Sequence, residues 1–209
     1  MVPRIVAALA CAALGCSAGQ WEIGAAGGYG IYRNGTIFAS AGQAAAGIRN
    51  RFVISAAMGE DLYQHLSGEF RYTYHDGDPF IEKGGVQSNL QGQSHAFHYD
   101  LLFHSRPREA RIRPFFAAGL GAKWFRVTGP DNPIQPLHSI GLLTATNETR
   151  PLVSAGGGIK VTIRPHVRLR LDFRDYITPF PKKLIQPAPF GTARGILHQF
   201  TPLVGVSFE

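Results

Sequence analysis

From Trp21 to the end of the chain, apolar residues alternate with polar or small ones at period two. Trp21, Ile23, Ala25, Gly27, Tyr29 and Ile31 fall on one face of the first such segment, with Glu22, Gly24, Ala26, Gly28 and Gly30 on the other. Successive side chains of a strand point to opposite faces, so this spacing predicts strands with one apolar surface. The pattern recurs around Phe52–Met58, Leu66–Tyr74, Phe97–His104, Ile112–Val127, Val153–Arg164, Val167–Arg174 and Thr201–Phe208. Its clearest form sets Val167, Leu169, Leu171 and Phe173 against Arg168, Arg170, Asp172 and Arg174.

A soluble sandwich alternates as well, and three further features separate it from a membrane barrel. The minority face carries charges of both signs: Glu22, Glu69, Arg71, Asp100, Lys160, Arg168, Arg170, Asp172 and Arg174. Opposite a face this aromatic, they suit a lumen of ion pairs inside a wall wetted by lipid. The connections alternate in length. Long polar segments, about 33–48, 75–94, 128–150 and 178–195, follow the odd segments, and short ones, about 60–65, 106–111 and 164–166, follow the even ones; an even-stranded barrel with both termini on the inner side has this order. Finally, aromatic residues gather at segment ends, Trp21 and Phe208 towards the inner rim and Tyr32, Tyr74, Trp124 and Tyr176 towards the outer, as interfacial girdles require.

The predicted fold is therefore all-β, an eight-stranded antiparallel up-and-down transmembrane β-barrel over residues 20–209, with an N-terminal signal peptide. Hydrocarbon offers no partner for a free sheet edge, so the last strand must close on the first. Eight strands enclose a space just wide enough for side chains. The charged face is thus expected to form a structural plug; the alternative is a narrow ion path lined by Lys160, Arg168, Arg170 and Arg174.

Residues 1–19 have the form of the signal peptide: a basic start at Arg4, an apolar run from Ile5 to Leu14, and small residues near a cleavage point after Ala18 or Gly19. Both cysteines, Cys11 and Cys16, lie inside it, which leaves a mature chain without thiol chemistry. The net charge of +7 is spread along strands and loops with no basic run, so nucleic acid is not an expected partner. Nor is a metal: His98 and His104 share a face but stand roughly 20 Å apart at strand spacing. Catalysis would need a serine, a histidine and an orienting carboxylate. The adjacent pairs Ser94-His95 and His138-Ser139 have no carboxylate at a fixed offset, so neither a catalytic site nor a cofactor is expected.

The strand opening Gln20-Trp21-Glu22, the segment Arg170-Leu171-Asp172-Phe173-Arg174-Asp175-Tyr176 and the closing Val206-Ser207-Phe208 resemble the bacterial outer-membrane β-barrel superfamily of the OmpA transmembrane domain, OmpX and the opacity-type surface proteins. The resemblance implies export to a Gram-negative outer membrane, handling by the barrel-assembly machinery, lipid and lipopolysaccharide as surroundings, and a monomer. It implies a structural or surface-interaction role, with a narrow pore and a lipid-A-modifying enzyme as alternatives. Those chains usually end on an aromatic residue, whereas here Glu209 follows Phe208. The last long connection holds Pro179, Pro181, Pro187 and Pro189 and is expected to be stiff and extended. Within it, Lys182 and Lys183 are the expected lipopolysaccharide contacts.

Overall fold

The computed structural model describes residues 21–128 and 135–209; the signal peptide expected over residues 1–19 lies outside them. Eight long strands are β1 (Trp21–Arg33), β2 (Arg51–Tyr63), β3 (Leu66–Asp76), β4 (Gln91–His104), β5 (Ile112–Thr128), β6 (Asn147–Arg164), β7 (Val167–Pro179) and β8 (Ile196–Phe208). Each pairs antiparallel with its neighbours in sequence. β8 returns to β1, from Ile23 opposite Phe208 to Arg33 opposite His198, so the barrel has no free edge. Two residues join β2 to β3 and β6 to β7; in the second turn His166 takes φ +65°.

The wall is turned inside out relative to a soluble protein. Outward positions hold Ile23, Ile54, Phe70, Phe116 and Leu120, the last two 76% and 71% exposed. Inward positions hold the buried charges. This is the polarity expected where hydrocarbon wets the outside. Both predicted inner-rim aromatics, Trp21 and Phe208, face outward. Of the four expected in the outer girdle, Tyr74 and Trp124 face outward, whereas Tyr32 and Tyr176 are buried in the interior. Parity explains the correction: Tyr176 shares a face with Arg170, Asp172 and Arg174, and Tyr32 with Glu22.

The outer connections depart most from expectation. They fold together rather than standing as separate loops. Thr192–Arg194, Gly35–Ala39, Gly42–Ile48, Pro79–Lys83 and Val86–Asn89 form a five-stranded sheet, and Gly141–Leu143 pairs with Ile185–Pro187. Gly84 and Gly85 close the hairpin between the last two strands of that sheet with φ of +57° and +80°, a turn that needs left-handed backbone at both positions. The last connection, expected to be extended, instead turns at 182–184. Phe180, Leu184, Ile185 and Ala193 give it apolar anchors in a common core with Ile37, Ile81, Leu137, Ile140 and Leu143. Phe125, Val127 and Leu197, from the outer ends of the barrel strands, belong to the same core.

Candidate functional site: a charged lumen beneath a folded cap

The lumen is built by parity. Every second residue of each strand points inward, and where two large inward groups would collide one is replaced by glycine. A Cβ on Gly119 would lie 2.1 Å from Asp100 Oδ1, and one on Gly158 would lie 2.8 Å from Asp172 Oδ1 and from the Phe115 ring. These strands approach closely because they carry no side chain there.

All nine charged residues expected to line the lumen are buried and face inward. Glu69 is the hub. Its two oxygens receive Arg71 Nη2 and Arg170 Nη1, each at 2.6 Å, with Arg174 Nη2 at 3.6 Å. Asp172 accepts from Arg71 at 2.8 Å and lies 3.3 Å from Arg170. Arg174 donates to Asp100 at 2.8 Å, and the other oxygen of Asp100 contacts His98 at 2.9 Å. Towards the inner mouth, Lys160 donates to Glu22 at 2.6 Å, with Arg170 3.4 Å from the same carboxylate. Arg168 pairs with Glu209 at 2.8 Å, which gives the residue after the terminal aromatic a specific contact. The ring of Phe115 sits among Lys160, Arg170 and Arg174, at 5.9, 5.7 and 5.6 Å from its centroid, close enough for cation–π attraction.

The network is tightly packed. The space among Gly24, Ser55, Arg71, Arg170 and Asp172 amounts to 10 Å³, against about 10–15 Å³ needed for one water. At the outer end, Lys123 is fully buried with neutral partners: it donates to Tyr32 Oη at 2.6 Å and to Gln199 Oε1. Its ammonium lies 4.9 Å from the Tyr32 ring centroid and 5.1 Å from that of Phe125, directly beneath the cap core.

A second inner-mouth cluster, Asp61, Ser67, His104 and Arg113, was not nominated from sequence. Arg113 donates to Asp61 at 2.9 Å, Ser67 donates to Asp61, and Ser67 Oγ lies 2.8 Å from His104 Nε2. Serine, histidine and aspartate meet here, but in the wrong order for nucleophilic catalysis. The carboxylate holds the serine hydroxyl rather than orienting the imidazole, as an activated nucleophile requires, and Ser67 is buried. The signal that finds this cluster is parity: β2 runs on to Tyr63, which puts Asp61 on the same face as Val53 and Ser55. The pairs considered earlier do not form sites. Ser94 points into the lumen and His95 outward from the same strand, and His138 and Ser139 lie exposed in a turn. Among the described residues no three His, Cys, Asp or Glu side chains are grouped to hold a metal ion.

Lys182 and Lys183 are exposed on the cap surface, apart from the lumen charges, and the Lys183 amide donates to Glu148 at 2.9 Å. The structure thus separates the two predicted groups of residues, one sealed inside and one displayed outside.

A closed eight-stranded meander with a charged interior and an apolar wall defines the class: a transmembrane β-barrel of the outer-membrane type. Solved structures agree on the fold. The chain is similar to the crystal structure of Neisserial surface protein A, with 12% identity over 92% of this chain and 99% of that one and a TM-score of 0.56. It is similar also to the crystal structure of the outer membrane protein OprG from Pseudomonas aeruginosa (10% identity, 91% and 96% covered, TM-score 0.54). A third is the solid-state NMR structure of the outer membrane protein AlkL in DMPC bilayers (14% identity, 92% of both chains, TM-score 0.50). No protein-family model and no curated protein matches the sequence.

Proposed function

We propose that this chain is a non-enzymatic structural and surface-interaction barrel of a bacterial outer membrane, closed to solutes and working through its cap. The observation that carries the reading is the double closure. Ion pairs fill the lumen, and an apolar core made by the loops covers its outer mouth. A conducting path would have to break buried pairs, each break costing about 3–5 kcal/mol, and open the cap as well. The narrow-pore and lipid-A-modifying alternatives have no comparable support.

The test is planar-bilayer recording on protein whose folding is established by its heat-modifiable gel shift. The expected trace has no discrete conductance steps. Stable single-channel openings from folded protein would refute the closed barrel. For the cap, exposed Lys182 and Lys183 are the proposed contacts with lipopolysaccharide phosphates. Changing both to Gln should weaken lipopolysaccharide binding and flatten its salt dependence, because screening acts on exposed charges. Unchanged binding would remove these lysines from that role.

A further inference from the structure

Where the outer wall passes from apolar to polar, the register stacks residues in rows. Tyr72 pairs with Phe97, and Phe97 with Ala122, well inside the apolar band. Two residues further out, about 7 Å along the strands, Tyr74, His95 and Trp124 stand side by side on β3, β4 and β5. Their ring centroids are 5.4 and 5.3 Å apart. The Tyr72 hydroxyl lies 2.8 Å from His95 Nδ1. This is an aromatic belt of the kind that marks a membrane–water interface.

The next row outward is wholly polar: Asp76, Gln93 and Arg126, in register on the same three strands. Here the surface is concave. A cavity of 410 Å³ opens above the belt, lined by Arg51, Asp76, Asp78, Gln91, Gln93 and Arg126. Its polar groups are held in place. Arg51 is fixed by Asp78 at 2.5 Å and Asp76 at 3.3 Å. Asp78 also accepts the Gly92 amide at 3.1 Å, and Gln93 Oε1 accepts the Tyr74 hydroxyl at 3.1 Å, which leaves the Gln93 amide NH₂ to face the cavity. Among the described residues Arg126 has no carboxylate partner and is exposed.

We infer that this notch binds the phosphorylated sugar headgroup of an outer-leaflet glycolipid. The chemistry is divided along it. Arg126, without a carboxylate partner among the described residues, offers a fork of donors that suits a phosphate. The amides of Gln91 and Gln93 and the carboxylates of Asp76 and Asp78 offer donors and acceptors to sugar hydroxyls. The position selects the lipid form over a free sugar, because the notch opens directly onto the belt and apolar wall, where acyl chains would lie over Phe97, Tyr99 and Leu120, all exposed. A plain phospholipid could use Arg126 but would leave the amide and carboxylate groups unused. The site is separate from Lys182 and Lys183, and it rests on the reading that the wall spans a membrane with the cap outermost.

The experiment uses the folded barrel in DMPC nanodiscs titrated with lipid A, an acylated and phosphorylated glucosamine disaccharide. Dephosphorylated lipid A, phosphatidylglycerol and soluble glucosamine-1-phosphate are comparison probes. Wild type should bind lipid A saturably and more tightly than each of the three. Arg126→Gln should weaken that binding about tenfold, as expected for one charge-assisted contact, and a double Gln91→Ala, Gln93→Ala variant should weaken it independently. Arg194→Gln, an exposed cation on the cap, should leave it unchanged. Equal binding by wild type and both notch variants overturns the site; equal affinity for phosphatidylglycerol overturns the sugar, and equal affinity for the soluble sugar phosphate overturns the lipid. Gel shift on the same samples reads folding separately, and absence of a folded band would instead overturn the membrane reading on which the site stands.

Discussion

Glu69→Gln removes one charge from the centre of the lumen while keeping size and shape, so no cavity term complicates the result. The carboxylate has Arg71 and Arg170 each at 2.6 Å and Arg174 at 3.6 Å. At an effective dielectric of about 20, unit charges centred about 4 Å apart attract by roughly 4 kcal/mol before desolvation, and desolvation of the buried ions offsets much of it. Removing one partner of a buried pair typically costs about 3–5 kcal/mol, because the other charge keeps its desolvation penalty and loses its compensation. Three guanidinium groups share the loss here, and Asp172 and Asp100 take up part of it, which favours the lower end. A destabilisation of about 3 kcal/mol corresponds to a shift of roughly a hundredfold in the folded-to-unfolded ratio.

The reverse change should cost less. Without Arg170, Glu22 keeps Lys160 at 2.6 Å, Glu69 keeps Arg71 at 2.6 Å and Asp172 keeps Arg71 at 2.8 Å. Every carboxylate thus retains a close cation, so Arg170→Leu should destabilise less than Glu69→Gln. The double variant should lose less than the two single losses combined, since residues in one network couple. Urea titration in lipid vesicles measures this. Trp21 and Trp124 face outward from the wall and report transfer out of lipid by fluorescence, with the gel shift as a second probe. A Glu69→Gln barrel within about 0.5 kcal/mol of wild type, or an additive double variant, would refute the view that these charges act as one buried network.

Gly158→Ala should destabilise by about 1–3 kcal/mol, because the new Cβ would meet Leu171 O at 2.3 Å. Gly27→Ala, whose nearest neighbour is Val53 O at 4.0 Å, should be close to neutral, and similar urea midpoints for the two would contradict the packing account. Ile37→Ala combined with Leu143→Ala removes two fully buried side chains from the cap core; at about 2–5 kcal/mol each it should open the cap to trypsin at Lys182, Lys183 and Arg194 without changing the gel shift of the barrel. Loss of the folded band in that variant would show that the barrel cannot fold at all without the cap.

The wall was legible because the membrane imposes one rule on every strand. The alternation of Val167, Leu169 and Leu171 with Arg168, Arg170 and Asp172 predicts which residues face lipid. Register follows once the eight strands must close. Tyr32 and Tyr176 face the lumen because parity, not residue type, sets their side, and a tyrosine suits a girdle and a polar lumen equally well. The same rule reaches Asp61 only if its strand is followed to its true end at Tyr63, whereas Lys123 already falls on the polar face of the predicted segment Ile112–Val127. Burial of a lysine among Tyr32, Gln199 and Phe125 is a product of tertiary packing that no local pattern carries.

The cap was illegible for a different reason. Its strands run from three to seven residues, too short for a period to show, and its core gathers residues from all four long connections. Ile37, Ile81, Leu143 and Ile185 look like isolated apolar residues in polar loops until the barrel brings the loops to one mouth. That dependence has an energetic consequence. Loops tethered at both ends by a rigid barrel lose less entropy on folding than free segments would, which helps so small a core to form. The core in turn covers the outer end of the lumen above Lys123, excluding water where the barrel would otherwise be open. Water exclusion strengthens each attraction in the network below, so the cap does more than close the mouth. It lowers the dielectric in which Glu69, Asp172 and Asp100 hold their arginines, and the network and the cap should therefore lose stability together when either is opened widely enough to admit solvent.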